Sequence, residues 1–220
     1  MNLIGDLNPQ AINAPSSVQS GSALNHTDFT FHPECKDLFE RVKAGWLKDP
    51  NSMTTQISSA TIGNARYSKQ TTTFPSFWIS LHSKETDYVR WNSIMETGNY
   101  SETYMTQFTK VVLSQQAANA DGTKIFIDVG MNIGWFSLWA LRLGATSVYS
   151  FEPNPINRLR FCESLKLNHV EAQRVHLYPN ALSDQESEMV LVHNKGNPGA
   201  ARLEDVSLRQ NLEASDSYSV

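Results

Sequence analysis

Cysteine is scarce: Cys35 and Cys162 are the only two among 220 residues. Two cannot build a disulfide framework, and no CxxC or Cys/His cluster points to structural zinc. No metal site is expected, and both cysteines are expected as reduced thiols. Long apolar runs are lacking as well. No stretch approaches the roughly 18 residues that a membrane-spanning helix needs. Positive charge is short, with 18 Lys and Arg against 22 Asp and Glu, a net charge of -4 and a pI near 5.8. Such a chain lacks the basic footprint of a general nucleic-acid binder. Neither nucleic acid nor membrane is therefore expected as a partner. Residues 1–28 contain no Lys, Arg or aromatic residue. A secretory signal would need a basic start and an apolar stretch, so a flexible arm over 1–35 and a cytoplasmic location are the simplest expectation. Asn25-His26-Thr27 and Asn99-Tyr100-Ser101 match the glycosylation sequon and read as chance matches.

The chain does have 40% hydrophobic and 10% aromatic residues. That is enough for a sizeable core and excludes disordered and collagen-like classes. Residues 36–123 read as an N-terminal helical and strand extension. Leu38, Phe39, Val42 and Trp46 lie at helical spacing within 36–47. The stretch 51–73, with ten Ser or Thr, reads as loop. Residues 77–82 alternate, with Phe77, Ile79 and Leu81 facing one way and Trp78, Ser80 and His82 the other, as in a half-buried strand. Ser101 can cap a helix in which Tyr104, Phe108 and Val112 stack, flanked by Met105 and Val111.

From Lys124 strands and helices alternate. Ile125-Phe126-Ile127, Val148-Tyr149-Ser150-Phe151 and Val175-His176-Leu177-Tyr178 read as strands. Helices fill the gaps: one over 133–143, stopped by Gly144, and one opened by Asn154 or Pro155, with Leu159, Cys162, Leu165 and Leu167 inward. This βαβαβ spacing predicts an α/β fold, a Rossmann-like, doubly wound, mainly parallel sheet over 124–220. A hairpin strand over 189–193 and a turn at Gly196-Asn197-Pro198-Gly199 follow.

Asp128-Val129-Gly130-Met131-Asn132-Ile133-Gly134 lies where the first strand enters its helix. That is the carboxyl end of the sheet, where open α/β folds bind ligands. Gly130 permits a sharp turn, Gly134 permits close packing, and the helix start offers free N–H groups. Two departures from the GxGxxG dinucleotide fingerprint narrow the ligand. Asn132 replaces the close-approach glycine, and Asp128 puts a carboxylate before the turn. A carboxylate would repel a pyrophosphate and attract a sulfonium or an α-amino group. S-Adenosylmethionine carries both cations. Glu152, at the tip of the second strand, is placed to accept hydrogen bonds from ribose hydroxyls.

FIDVGMNIGWFSL, SFEPNP and PNALSD, in that order and spacing, resemble the FkbM family of class I methyltransferases over roughly residues 77 to 205. The resemblance implies a Rossmann-like S-adenosylmethionine-binding fold and O-methylation of a hydroxyl on a sugar, glycan or other small molecule. It also implies that Asp128, Gly130, Asn132 and Gly134 surround the methionine part, that Glu152 holds the ribose, and that Asn180 and Ala181 lie near the adenine. Gly98-Asn99-Tyr100-Ser101-Glu102 resembles the family's upstream Gly-x-Tyr-Glu segment with one extra residue. Nothing over 202–220 resembles the family's fourth-strand K-x-D-x-E-G segment. The sheet is therefore expected to be cut short at the C-terminus, with an open first-strand edge through which chains could self-associate.

No general base is identified. Asp184 and His193 follow the third strand but read more simply as a turn residue and a strand end. Trp135 and Trp139 read as core, and the spacing of Trp78, His82 and Trp91 assigns them no role. Two other classes remain open. One is a non-catalytic or truncated cofactor-binding domain. The other is an NAD(P)-dependent oxidoreductase, against which Asn132 argues.

Overall fold

The computed structural model describes residues 32–47, 67–100, 103–115, 122–194, 197–205 and 217–219. The Ser101 cap and Glu102 lie outside them. Helix α1 (Pro33–Lys43) starts inside the expected arm. Proline is favourable at its first turn, and the His32 ring accepts from the Glu34 N–H. Leu38 and Phe39 are buried as the spacing predicts, but Trp46 lies beyond the helix and is exposed. Strands β1 (Ser68–Gln70) and β2 (Trp78–Ser80) form a small antiparallel ribbon. A short α2 (Tyr88–Arg90) then widens into a π-helical turn, Trp91–Glu96.

Helix α3 (Thr103–Gln115) packs on its polar side, against expectation. Thr106, Thr109 and Leu113 are buried, whereas Tyr104 is 85% exposed and Phe108, Val111 and Val112 are also exposed. Two indole N–H groups explain this. Trp135 donates to the Thr106 hydroxyl at 3.1 Å and Trp139 to the Thr106 carbonyl at 2.9 Å. A buried indole needs an acceptor, and the threonine face supplies one that the apolar stripe cannot.

Strands β3 (Ile125–Val129), β4 (Ser147–Phe151) and β5 (Val175–Tyr178) form a parallel sheet in that order. The expected βαβαβ unit is completed by α4 (Trp135–Arg142) and α5 (Pro155–Leu167). Asn154 caps α5, its side chain accepting from the Ile156 N–H. Both crossovers step in the same direction across the sheet. Two connections of one hand place their helices on one face, so a second wind is not present among the described residues. Val148, Ser150, Val175 and Leu177 are buried beneath those helices. On the opposite face Ile127 is 63% and Val129 59% exposed, beside the stacked pairs Tyr149–His176 and Phe151–Tyr178. Among the described residues β3 pairs only with β4, so its outer edge is open.

A second, antiparallel sheet has the order β7-β6-β8, from Met189–Asn194 (β6), Asn197–Asp205 (β7) and Ser217–Ser219 (β8). The expected hairpin strand is β6. Asn197 and the two residues after it belong to β7, and not to the turn assigned to them, because Asn194 pairs with Asn197.

The N-terminal extension packs directly on α5. Ser164 accepts from the Ser80 N–H at 2.8 Å, and Asn168 accepts from the Trp78 N–H while donating to the Trp78 carbonyl. Helix α5 is thereby enclosed, burying Asn157, Arg158, Arg160 and Ser164 along with its apolar side. The half-buried reading of residues 77–82 holds at the exposed Trp78 but fails for the same reason at Ser80 and His82, which are buried along with Phe77, Ile79 and Leu81. Cys35 and Cys162 form a disulfide between α1 and α5, which corrects the expectation of two reduced thiols. Their Cα atoms stand 5.4 Å apart, well inside the reach of such a bond. The chain's main apolar cluster runs without a break from α1 through β2 to α4, α5 and the parallel sheet.

Candidate functional site at the carboxyl end of the parallel sheet

The β3–α4 turn owes its shape to three residues in the left-handed region, one of which also makes a close approach. Gly130 has φ 74°, and a Cβ there would meet no atom within 4 Å. Gly130 also lines a cleft. Asn132 has φ 58°, a conformation asparagine tolerates because its side chain can bond locally. Here its Oδ1 accepts from the Ile133 N–H at 2.8 Å. Gly134, at φ 86°, serves packing: a Cβ would sit 2.1 Å from the ring of Phe161 on α5. Both the Gly130 and Met131 N–H groups donate to the Phe151 carbonyl, pinning the turn to the end of β4.

Glu152 is the hub. Its Oε2 accepts from the Asn132 N–H at 2.8 Å, and its Oε1 accepts from the Asn154 N–H at 2.9 Å and the Asn157 amide at 3.3 Å. Burial pushes this carboxyl above the usual carboxylate range, opposed by the donors from Asn154, Asn132 and Asn157 and by the Arg158 charge. Arg158 spans the back of the corner. Its Nη1 donates to the carbonyls of Glu152 and Pro153, each at 2.7 Å, while Nε pairs with Glu34 on α1 at 3.0 Å.

A cleft of about 280 Å³ opens in front of these groups. Its walls include Gly130, Asn132, Glu152 and Asn157 on one side and Asn180, Ala181 and Leu182 after β5 on another. Leu191, Ala201 and Leu203 of the β6–β7 hairpin close it. Its volume falls at the lower edge of the range occupied by small-molecule sites. Five of the seven sequence-derived positions thus meet in one cleft: Gly130, Asn132, Glu152, Asn180 and Ala181.

Asp128 and Gly134 do not line it. The Asp128 side chain lies on the helix-covered face, where Oδ2 accepts from the Ser137 hydroxyl at 2.6 Å and Ser137 contacts Ser150. It borders a separate apolar cavity of about 250 Å³ with Met105, Phe108, Val112 and Phe136. Burial raises its carboxyl above the ordinary value, partly offset by Ser137. Asp184 is exposed and contacts Ser183. Trp135 and Trp139 are core residues, as expected.

Two contributors escaped the motif reading. Asn157 belongs to none of the three motifs, and no local signal marks it, because the elements that bury it lie far upstream in the chain. The hairpin wall was foreshadowed only by the apolar pattern of β6. No group of three or more metal-ligating side chains is found among the described residues.

No family model and no curated protein matches the chain. Among solved structures, one of PRMT6 aligns with a TM-score of 0.33 and 21% identity, over 45% of this chain and 26% of that one. One of PRMT6-SAH aligns with a TM-score of 0.30 and 22% identity, over 37% and 23% respectively. The chain therefore spans about a quarter of the length of either.

Proposed function

We propose that this chain binds S-adenosylmethionine at the carboxyl end of its parallel sheet and belongs to a methyltransferase acting on a hydroxyl of a sugar, glycan or other small molecule. The single observation that carries the reading is the convergence of Gly130, Asn132, Glu152, Asn180 and Ala181 on one cleft. The residues fit the cofactor's chemistry. Glu152 Oε2 accepts one backbone N–H and retains a lone pair for a ribose hydroxyl. Asn180 can donate to or accept from an adenine edge. The open side of Gly130 lets a ligand approach the main chain.

The cofactor supplies a methyl group on a sulfonium, already activated for in-line displacement. The protein's share is alignment of acceptor oxygen and methyl carbon, worth about 7–11 kcal/mol when geometry is right. The acceptor class rests on the FkbM resemblance of the three sequence motifs. A cofactor-binding domain without its own acceptor site is the second reading. It is favoured by the bare face and open edge of the sheet, which leave the acceptor side unbuilt among the described residues.

Calorimetry with S-adenosylhomocysteine, with NADH as control, tests the cofactor. Selective binding is expected, weakened at least about tenfold in Glu152→Gln, which keeps the side chain's shape but removes the charge that strengthens its hydrogen bonds. Binding of NADH in preference, or of neither ligand by a folded chain, would refute the proposal. A binding-competent chain that methylates no hydroxyl acceptor would favour the second reading.

A further inference from the structure

Behind Glu152 a buried polar line runs out of the cleft into the N-terminal extension. The Asn157 amide donates to Glu152 Oε1 at 3.3 Å, and the Asn157 Oδ1 lies 2.8 Å from Nε2 of His82. His82 and Asn157 are each only 2% exposed, so water does not compete for these bonds. The direction of the line is fixed by its end. Glu152 already accepts two backbone N–H groups, as a carboxylate does, so Asn157 must turn its NH2 toward it. The carbonyl oxygen of Asn157 then faces His82. A carbonyl only accepts, so His82 carries its proton on Nε2 and donates.

We propose that His82 is a positioning residue for the ligand that Glu152 holds, acting through Asn157. With His82 donating, the Asn157 amide cannot flip. Its NH2 stays on Oε1, and Oε1 stays turned inward toward Asn157 and the Asn154 N–H. That leaves Oε2, bound by the Asn132 N–H alone, as the oxygen presented to the cleft. Without the His82 proton donor, the Asn157 amide loses one of its two anchors, and its NH2 is no longer held on Oε1 by a bond at each end. The Asn157 amide could then swing off Oε1, and Glu152, held there by the Asn154 N–H alone, would be free to rotate away from this arrangement. The segment 67–100 is on this account part of the binding machinery and not only a cover for α5. The inference rests on the cofactor reading above, since it names what sets the presentation of Glu152 to that ligand.

The test compares His82→Gln with His82→Met. Their side chains have the same length, and the Gln amide nitrogen takes the place of Nε2 while Met offers no donor. Affinity for S-adenosylhomocysteine is measured by calorimetry on the full chain, and the Tm of each variant is recorded. The Met variant is expected to bind about tenfold more weakly than wild type and the Gln variant within about threefold of it. In an Asn157→Ala background the Gln and Met variants should bind alike, because the link is already cut. If the Met variant does not fold, His82→Asn replaces it, its amide one bond too short to reach Asn157. Equal affinity of the Gln and donor-less variants in the otherwise wild-type chain would overturn the inference while leaving the cofactor reading intact. Failure of wild type to bind S-adenosylhomocysteine would overturn both.

Discussion

Asp128 shows how one residue can satisfy a motif and still occupy an unexpected place. The sequence places a carboxylate before a glycine turn, and attraction to a cation is the reading that follows. In the fold its carboxylate bonds to Ser137 on the covered face of the sheet, and burial raises it above the ordinary value. A carboxyl raised in the folded state holds its proton more tightly than in the unfolded chain. The fold is therefore favoured by this group at low pH and loses that advantage as pH rises through the raised value. Asp128→Asn keeps a carbonyl acceptor for Ser137 and carries no charge at any pH. It should be more stable than wild type at pH 8, by about 1 kcal/mol, with the difference shrinking as the pH falls toward the folded-state value. Urea midpoints at several pH values would read this. A less stable Asn variant at pH 8 would mean that the fold stabilises the charge more than it penalises it. The same variant separates two roles in binding. If Asp128 attracts the sulfonium at a distance, S-adenosylmethionine should lose more affinity than uncharged-sulfur S-adenosylhomocysteine.

At the scale of elements, β3, α4, β4, α5 and β5 were legible because their apolar runs and spacing are local properties of the chain. Glu152 and the glycine turn were legible for the same reason: both stand at strand ends, where topology alone places them. The polar residues of α5 were not. Asn157, Arg158, Arg160 and Ser164 look like a solvated helix face until the β1–β2 ribbon and α1, more than fifty residues upstream, cover them. Likewise the exposed Tyr104–Phe108–Val112 stripe and the buried threonines of α3 reverse the usual pattern, because two tryptophans on α4 need acceptors. No periodicity within α3 carries that information. Gly134 tests how tightly these elements meet. Alanine there would both adopt a left-handed φ and drive its methyl into Phe161. Gly134→Ala should cost about 2–4 kcal/mol, from overpacking together with backbone strain. Adding Phe161→Ala to it should recover only the packing part, since the strained φ remains. Thermal unfolding of the two single variants and the double variant would separate the terms. Additive losses would show that the ring is not what Gly134 makes room for.

At the scale of the whole molecule, a single apolar cluster ties the N-terminal extension to the sheet, and one covalent bond spans the same junction. The sequence could not reveal that bond, because two cysteines 127 positions apart give no sign of pairing until α1 is laid across α5. Closing so long a loop removes unfolded-state entropy worth about 4–5 kcal/mol on the chain-entropy account, with measured effects often smaller. The bond also holds α1 where Glu34 meets Arg158, and Arg158 in turn holds the carbonyls of Glu152 and Pro153. Stability and cofactor affinity should therefore fall together when it is opened. Cys35→Ser with Cys162→Ser is expected to lower the urea midpoint and to weaken S-adenosylhomocysteine binding, while wild type kept free of reductant should be two hydrogens lighter by mass than the same protein reduced. Persistent disulfides belong to oxidising compartments. A closed bond in protein taken from its native source would thus replace the cytoplasmic expectation along with that of free thiols. Two titratable thiols there, with full stability and binding in the double Ser variant, would mean that packing alone holds α1 in place and that the junction needs no covalent bond.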